Sequence, residues 1–115
     1  MKVNMNNGYG TTYSFEIVDR IPQHYSVWNI HGIPGHPDLL PLCFCPPGSY
    51  EIIPELLRAV RMDPEDCRML LKASAIGADN LSSAHRLISR KRLSAADRSR
   101  IEKAIPILEK YTANH

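Results

Sequence analysis

The sequence lacks the features that mark several special classes of protein. It contains no run of about 18 apolar residues, and residues 1–13 are polar, so neither a membrane span nor a secretory signal is expected. Its three cysteines are few and odd in number, which indicates a reduced, cytoplasmic chain rather than a disulfide framework. The apolar and charged fractions, 43% and 23%, are those of an ordinary soluble globule and exclude disordered, collagenous and fibrous classes.

Prolines, aromatic residues and charges divide the chain into two parts. With 115 residues it has room for one domain and not for two full-sized ones. Seven of the nine prolines and seven of the eight aromatic residues lie in the first 54 positions. Residues 80–115 hold eight Lys and Arg against three Asp and Glu, whereas residues 1–79 hold six against nine. We therefore expect a Pro-rich β region over residues 1–49 and a partly basic helical domain over residues 50–115.

A β-hairpin is predicted over residues 13–31. Apolar and polar side chains alternate in its first strand, and its second strand, residues 25–31, is rich in β-branched and aromatic residues. The apolar side chains that alternate are those of Tyr13, Phe15 and Ile17. Residues 1–12 have little apolar content and are predicted to form a flexible arm. A short third strand is predicted over residues 39–45, at a sheet edge because Pro41 cannot donate a ladder hydrogen bond.

Three aromatic side chains of the predicted hairpin have two interpretations. Tyr13, Tyr25 and Trp28 could form an exposed platform for a partner or for single-stranded nucleic acid. We favour packing against the helices, because a two-stranded hairpin is marginally stable alone. The open edge of the hairpin could also pair with a second copy of the chain and form a homodimer.

Four helices are predicted after the Pro-rich loop, at residues 53–62, 64–76, 80–91 and 94–112. Apolar residues of the first recur at i, i+3, i+4 and i+7 between Ile53 and Val60. Each of the other three follows a residue suited to an N-cap, and Pro106 is expected to kink or end the last helix. The predicted fold is therefore α+β, an N-terminal β-hairpin with a Pro-rich loop followed by a four-helix C-terminal bundle.

The third predicted helix carries the strongest functional signal. Its apolar residues fall within one arc of about 120° at about 100° per residue, and a face of Ser and Arg lies opposite. Hydroxyl and guanidinium groups can reach base edges in the major groove of DNA, and flanking cations can neutralise phosphates. The predicted base contacts are Ser82, Ser83, Arg86 and Arg90. The predicted phosphate contacts are Lys91, Arg92, Arg98 and Arg100.

Residues 88–105, with the sequence ISRKRLSAADRSRIEKAI, resemble the end of a lambda-repressor-like (Cro/repressor-type) helix-turn-helix domain. Ala73 and Gly77 resemble the small residue and the turn glycine of that motif, so the resemblance extends over residues 53–105. It implies a recognition helix at residues 80–91. The residues that it places nearest the bases are Ser82, Ser83 and Arg86. The distance along the sequence from Gly77 to Ile88 is one residue longer than the usual spacing in that family.

Together these features predict a small cytoplasmic DNA-binding regulator of transcription, of helix-turn-helix type, that binds double-stranded DNA as a dimer. The alternative is a protein–protein interaction module, an inhibitor or adaptor, whose basic helix docks on an acidic partner. A charged helix face is also often simply a solvated surface.

Neither an enzyme nor a cofactor is predicted, because no set of nucleophile, base and orienting group can be named. Cys43 and Cys45, with His24, His31 and His36, are possible zinc ligands. Only one residue separates the two cysteines, however, and no second ligand pair completes a site, so no metal is predicted. The remaining cysteine, in the second predicted helix, lies on its apolar stripe and is expected to be an inert thiol.

Overall fold

The structure, a computed structural model, describes residues 1–6, 8–29, 42–48 and 56–113. In this part of the chain, five strands form one mixed sheet and three helices pack on one of its faces. The strands are β1 (Lys2–Asn6), β2 (Thr12–Val18), β3 (Ser26–Asn29), β4 (Leu42–Cys45) and β5 (Leu57–Val60). The helices are α1 (Pro64–Ser74), α2 (Leu81–Ile88) and α3 (Ala95–Tyr111). None of these helices is long and apolar enough to cross a membrane.

The strand order across the sheet is β1-β2-β5-β4-β3. β1 and β2 are antiparallel, as are β3 with β4 and β4 with β5, whereas β2 and β5 are parallel. In the parallel register Phe15 lies opposite Leu57, and Val18 lies opposite Val60. The sheet thus joins an N-terminal hairpin to a three-strand meander through its one parallel pair.

The prediction of an N-terminal hairpin followed by a four-helix bundle is wrong. Residues 57–60 form β5 and not part of a helix over 53–62, whose first three residues lie outside the described part of the chain. β5 is a central strand with one face towards the helices and the other towards a second apolar cluster, so three of its four residues are apolar and do not alternate strictly with polar ones. A short apolar run of this kind is compatible with either helix or strand. The domain boundary predicted between residues 49 and 50 also lies outside the described residues.

The pairing predicted for residues 13–31 is also wrong. β2 and β3 form near the expected positions, but β5 and β4 lie between them in the sheet. The segment between β2 and β3 instead pairs with the end of the chain, where Ile21 N–H donates to the Tyr111 carbonyl (2.7 Å) and Ala113 N–H donates to the Ile21 carbonyl (2.9 Å). One neighbour of β2 is β1, which the sequence predicted to be part of a flexible arm, and the other is β5. β1 alternates exposed and half-buried residues although two of its five residues are asparagine and only one is valine.

The predicted third strand is found as β4, but it is not an edge strand. It lies between β5 and β3, and all four of its residues are buried. Pro41, the reason for the edge prediction, lies outside the described residues. The described strand begins at Leu42 and pairs with β3 along its whole length.

The three helices coincide with the last three predicted helices and end earlier, by one to three residues. Asp63 accepts from the backbone of Glu65 (2.8 Å) and so caps α1, while Ser94 accepts from Asp97 N–H (3.1 Å) and caps α3. α3 continues through Pro106, contrary to the expected kink or end. Pro106 is exposed, so the carbonyl that loses its hydrogen bond can be solvated by water.

Gly77 fixes the path from α1 to α2. Its φ of +97° is a conformation that residues with a Cβ rarely adopt. Gly77 N–H donates to the Ser74 carbonyl (3.1 Å) and Ala78 N–H donates to the Ala73 carbonyl (3.0 Å), which is the hydrogen-bond pattern of a Schellman motif. Ala78 is fully buried, so the chain turns back into the core before α2 begins.

Both faces of the sheet carry buried apolar residues. The helix-side cluster joins Phe44 and Val60 of the sheet to Leu70 of α1 and Ile101 of α3. The opposite face carries a second cluster, with Phe15 at its centre. Its buried members are Phe15, Cys43, Cys45, Leu57 and Ala59.

The three aromatic side chains considered for an exposed platform are half-buried and pack against the clusters. Tyr25 packs on the helix-side cluster, and Tyr13 and Trp28 pack on the opposite face. The prediction that these residues pack against the helices therefore holds for Tyr25 and is wrong for Tyr13 and Trp28, which pack on the face of the sheet away from the helices.

Candidate nucleic-acid interface

The start of α2 is fixed by a capping box. The Asn80 side chain accepts from Ser83 N–H (2.8 Å), and Asn80 N–H donates to the Ser83 hydroxyl (3.0 Å). The Asn80 amide also donates to the hydroxyl of Ser26 on β3 (3.3 Å), and Val27 N–H donates to the Asp79 carbonyl (2.9 Å). The first turn of α2 is thereby attached to the edge strand of the sheet.

Ser83 does not lie on the exposed face of α2, where the sequence placed it. Its side chain is 5% exposed, and its hydroxyl donates to the Asp79 carboxylate (2.9 Å) while accepting from the Asp79 and Asn80 N–H groups. Around the helix it lies only about 40° from Leu87, so it borders the apolar arc. Because the hydroxyl is buried and already bonded, it is not available to a base edge.

The exposed side of α2 and the turn after it carry four cations, Arg86, Arg90, Lys91 and Arg92, which we call the basic strip. All four are exposed, and none forms an ion pair with another residue in the described part of the chain. The sequence contains no Asp or Glu between Asn80 and Asp97. Ser82 is exposed on the same helix, so the structure brings four of the predicted contacts together with this serine and leaves Ser83 out.

Arg98 has a different place from the one predicted. Its guanidinium donates to the carbonyl of Ile88 (3.0 Å) and to the carbonyl of Arg90 (3.0 Å), and the side chain is half-buried. It thus satisfies carbonyls at the end of α2, which the helix leaves without an intrahelical partner. The positive charge of Arg98 also lies near the negative, C-terminal end of the α2 dipole, which is a stabilising arrangement. Arg98 fixes the turn that carries the basic strip instead of extending the strip.

Arg100 is separated from the basic strip by the helix on which it lies. It pairs with Asp97 (3.4 Å) and lines a groove between α1 and α3 with Lys72 and Lys103. Arg98, by contrast, projects to the α2 side of the same helix. Of the four predicted phosphate contacts, only Lys91 and Arg92 therefore belong to the basic strip. The sequence did not distinguish the role of Arg98 from that of Arg100, because both residues follow the same capping serine, Ser94, in the first turns of one helix.

We expect Arg98→Ala to destabilise the protein by about 1–2 kcal/mol, since two charge-assisted hydrogen bonds to main-chain carbonyls are lost from a half-buried site. Amide hydrogen exchange should accelerate at residues 89–93 by more than it does in α1. Urea unfolding and exchange mass spectrometry provide these measurements. Arg98→Lys should recover only part of the loss, because an ammonium group cannot span both carbonyls as a guanidinium does. Equal exchange rates in the Ala variant and the parent protein would contradict the role assigned to Arg98.

The cysteines show no arrangement suited to catalysis or to a metal. All three are buried, and none forms a disulfide. Burial raises the pKa of Cys67 to about 11, and the hydrogen bond with Cys45, together with burial, raises the pKa of Cys43. Neutral thiols are poor nucleophiles and poor metal ligands. His31 and His36 lie outside the described residues, and within those residues no group of three or more His, Cys, Asp or Glu could hold a metal ion.

Comparisons with known proteins found no relative: no family model, no curated protein and no solved structure matches the chain. The function is therefore inferred from the geometry described above.

Proposed function

We propose that the protein is a DNA-binding regulator of transcription that docks α2 and the following turn on double-stranded DNA. The observation that supports this proposal is the basic strip, four exposed cations within seven residues and without an acidic neighbour between Asn80 and Asp97. A helix end that is held by Arg98 presents these cations on a fixed backbone. Fixed cations suit the regular phosphate spacing of a duplex.

The side chains on this surface have two proposed roles. Ser82 and Arg86 lie on the exposed side of α2, and Arg90 lies two residues after its end. All three are proposed to contact base edges, where arginine forms bidentate bonds to guanine. Lys91 and Arg92 follow the helix and are proposed to contact phosphates. The eight residues of α2 span about 12 Å, which is comparable with the width of the major groove.

The compartment and the assembly are parts of the same proposal. A reducing compartment such as the cytoplasm suits a chain whose three cysteines form no disulfide. A homodimer would place two copies of α2 on the half-sites of a two-part operator, about one helical turn apart.

Duplex binding measured over a salt series tests the proposal. A labelled duplex of mixed sequence should bind with log K falling against log salt by about two to four, because each phosphate-bound cation contributes about 0.9. Arg86→Ala should relax sequence preference, whereas Arg92→Ala should weaken all duplexes alike and lower the slope by about one. Absence of binding at 50 mM salt by folded protein would reject the proposal.

An acidic protein partner is the second candidate. It is favoured by the burial of Ser83, which leaves only Ser82 and Arg86 on α2, with Arg90 after its end, for base edges. Poly-glutamate is a suitable probe, because it presents carboxylates without bases or a duplex backbone. Tighter binding of poly-glutamate than of duplex at equal charge concentration would support this candidate over DNA.

A further inference from the structure

A cleft beside α2 is built from three separate parts of the chain. Its walls come from the segment that precedes β3, from the first residues of α2 and from the end of α3 and the residues after it, and it encloses about 520 Å³. Volumes of a few hundred cubic ångströms or more are typical of sites for small organic ligands. The cleft does not include the basic strip, and of the proposed DNA contacts only Ser82 lines it.

The floor of the cleft is apolar and rigid. Ile21 and Leu108 are buried core residues, and Leu81 is the half-buried first residue of α2. Ile21 is held on both sides by the hydrogen bonds with Tyr111 and Ala113. A floor of this kind binds the apolar body of a ligand without first having to be ordered.

Hydrogen-bond donors predominate on the walls. His24, His85 and Ser82 all line the cleft and are exposed to it. An imidazole has at least one N–H donor in either protonation state, and a hydroxyl supplies another. Neither imidazole forms a hydrogen bond with another residue that the structure describes. Glu109, at the α3 side, is the one carboxylate among the described lining residues.

The turn that carries His24 shows why a side chain at this position is unusual. Tyr25 N–H donates to the Pro22 carbonyl (3.1 Å), and His24 has a φ of +69° at the third position of this turn. Glycine or asparagine is the common choice there, because a Cβ is disfavoured at positive φ. His24→Gly therefore removes the imidazole while leaving the turn in a conformation that glycine adopts readily.

We propose that this cleft binds a small organic acid with an apolar body. The apolar part would lie on Ile21, Leu81 and Leu108, and the acid group would accept hydrogen bonds from His24, His85 and the Ser82 hydroxyl. The position of Glu109 directs the acid group towards α2, because two carboxylates repel each other. The site requires no DNA, so its test is separate from that of the proposed function.

Three probes with the same ring and different charges test the proposal: benzoate, benzyl alcohol and benzylamine. Each is titrated to about 10 mM into ¹⁵N-labelled protein at constant ionic strength and pH. Benzoate should shift the amide signals of residues 21–25, 81–85 and 108–113 in a saturable manner, benzyl alcohol less strongly, and benzylamine not at all. Equal shifts with all three probes, or no saturable shift with benzoate, would overturn the proposal.

Matched variants assign the effect to the cleft. His85→Ala and His24→Gly should each weaken benzoate binding by about tenfold, as expected for a lost hydrogen bond to a charged group. Glu109→Gln should strengthen it, because a repelling charge is removed. Arg90→Ala is the control, since it removes a full positive charge from outside the cleft and should leave benzoate affinity unchanged. An equal loss in Arg90→Ala would show general charge attraction and overturn the proposed site.

Discussion

A triple variant, in which alanine replaces Arg90, Lys91 and Arg92, should lose duplex affinity on the order of 10²-fold at 0.15 M salt. Lys91 and Arg92 are the proposed phosphate contacts, and each of them that no longer releases counterions lowers the salt slope by about 0.9, so the slope should fall by about 1.8. The fold should persist, because Arg98 bonds to main-chain carbonyls that alanine retains. Fluorescence anisotropy over a salt series measures both quantities.

A charge-matched triple variant provides the control for this measurement. In this variant alanine replaces three other exposed cations: Lys2 on β1, Arg61 directly after β5, and Arg68 on α1. Their replacement by alanine changes the net charge equally but removes nothing from the basic strip, so the slope should stay within about one unit of the parent value. If both triple variants lost the same affinity, overall charge rather than the basic strip would be responsible.

Phe15→Ala should lower the free energy of unfolding by about 3–5 kcal/mol. Phe15 is 0% exposed and lies at the centre of the cluster on the sheet face that the three helices do not cover. Truncation of a buried phenylalanine removes its burial and leaves a cavity. The midpoint of thermal unfolding should fall by 10 °C or more for a domain of about this size, as calorimetry would show.

Tyr9→Ala is the aromatic control for Phe15→Ala, since Tyr9 is 92% exposed. A surface substitution of this kind should change the stability by less than about 0.5 kcal/mol. Phe15→Leu should cost less than Phe15→Ala because most of the volume is retained. A loss below about 1 kcal/mol for Phe15→Ala would show that this face of the sheet is not a core.

Local signals in the sequence were sufficient for the helices but not for the sheet. The cap residues Asp63, Asn80 and Ser94 act on groups two or three residues away, so their roles could be read from short patterns. Strand pairing depends on residues far apart. Nothing near β2 indicates that its partner is β5, some 40 residues later, instead of the adjacent β3.

The same distinction explains which parts of the candidate interface could be predicted. Arg86 is exposed on α2 as the helical period indicated, because that period describes one helix by itself. Arg90, Lys91 and Arg92 follow the end of α2 and are also exposed. The sequence assigned Ser83 and Arg98 to the DNA-contacting surface. The groups that these two side chains bond to lie outside the exposed face of α2, so the helical period did not reveal them. Asp79 holds the first, and carbonyls eight and ten residues away hold the second.

The bridge between Ile21 and Thr112 has a consequence for how the chain reaches its native state. It closes a loop of some 90 residues, and the β2–β5 pair closes another of some 40. Contacts so distant in sequence slow folding, since a large loop entropy is lost before they form. We therefore expect the three helices to form early and the sheet to be completed late. During synthesis, the wall of the cleft that contains Ile21 would gain its partner only after residues 111–113 have left the ribosome.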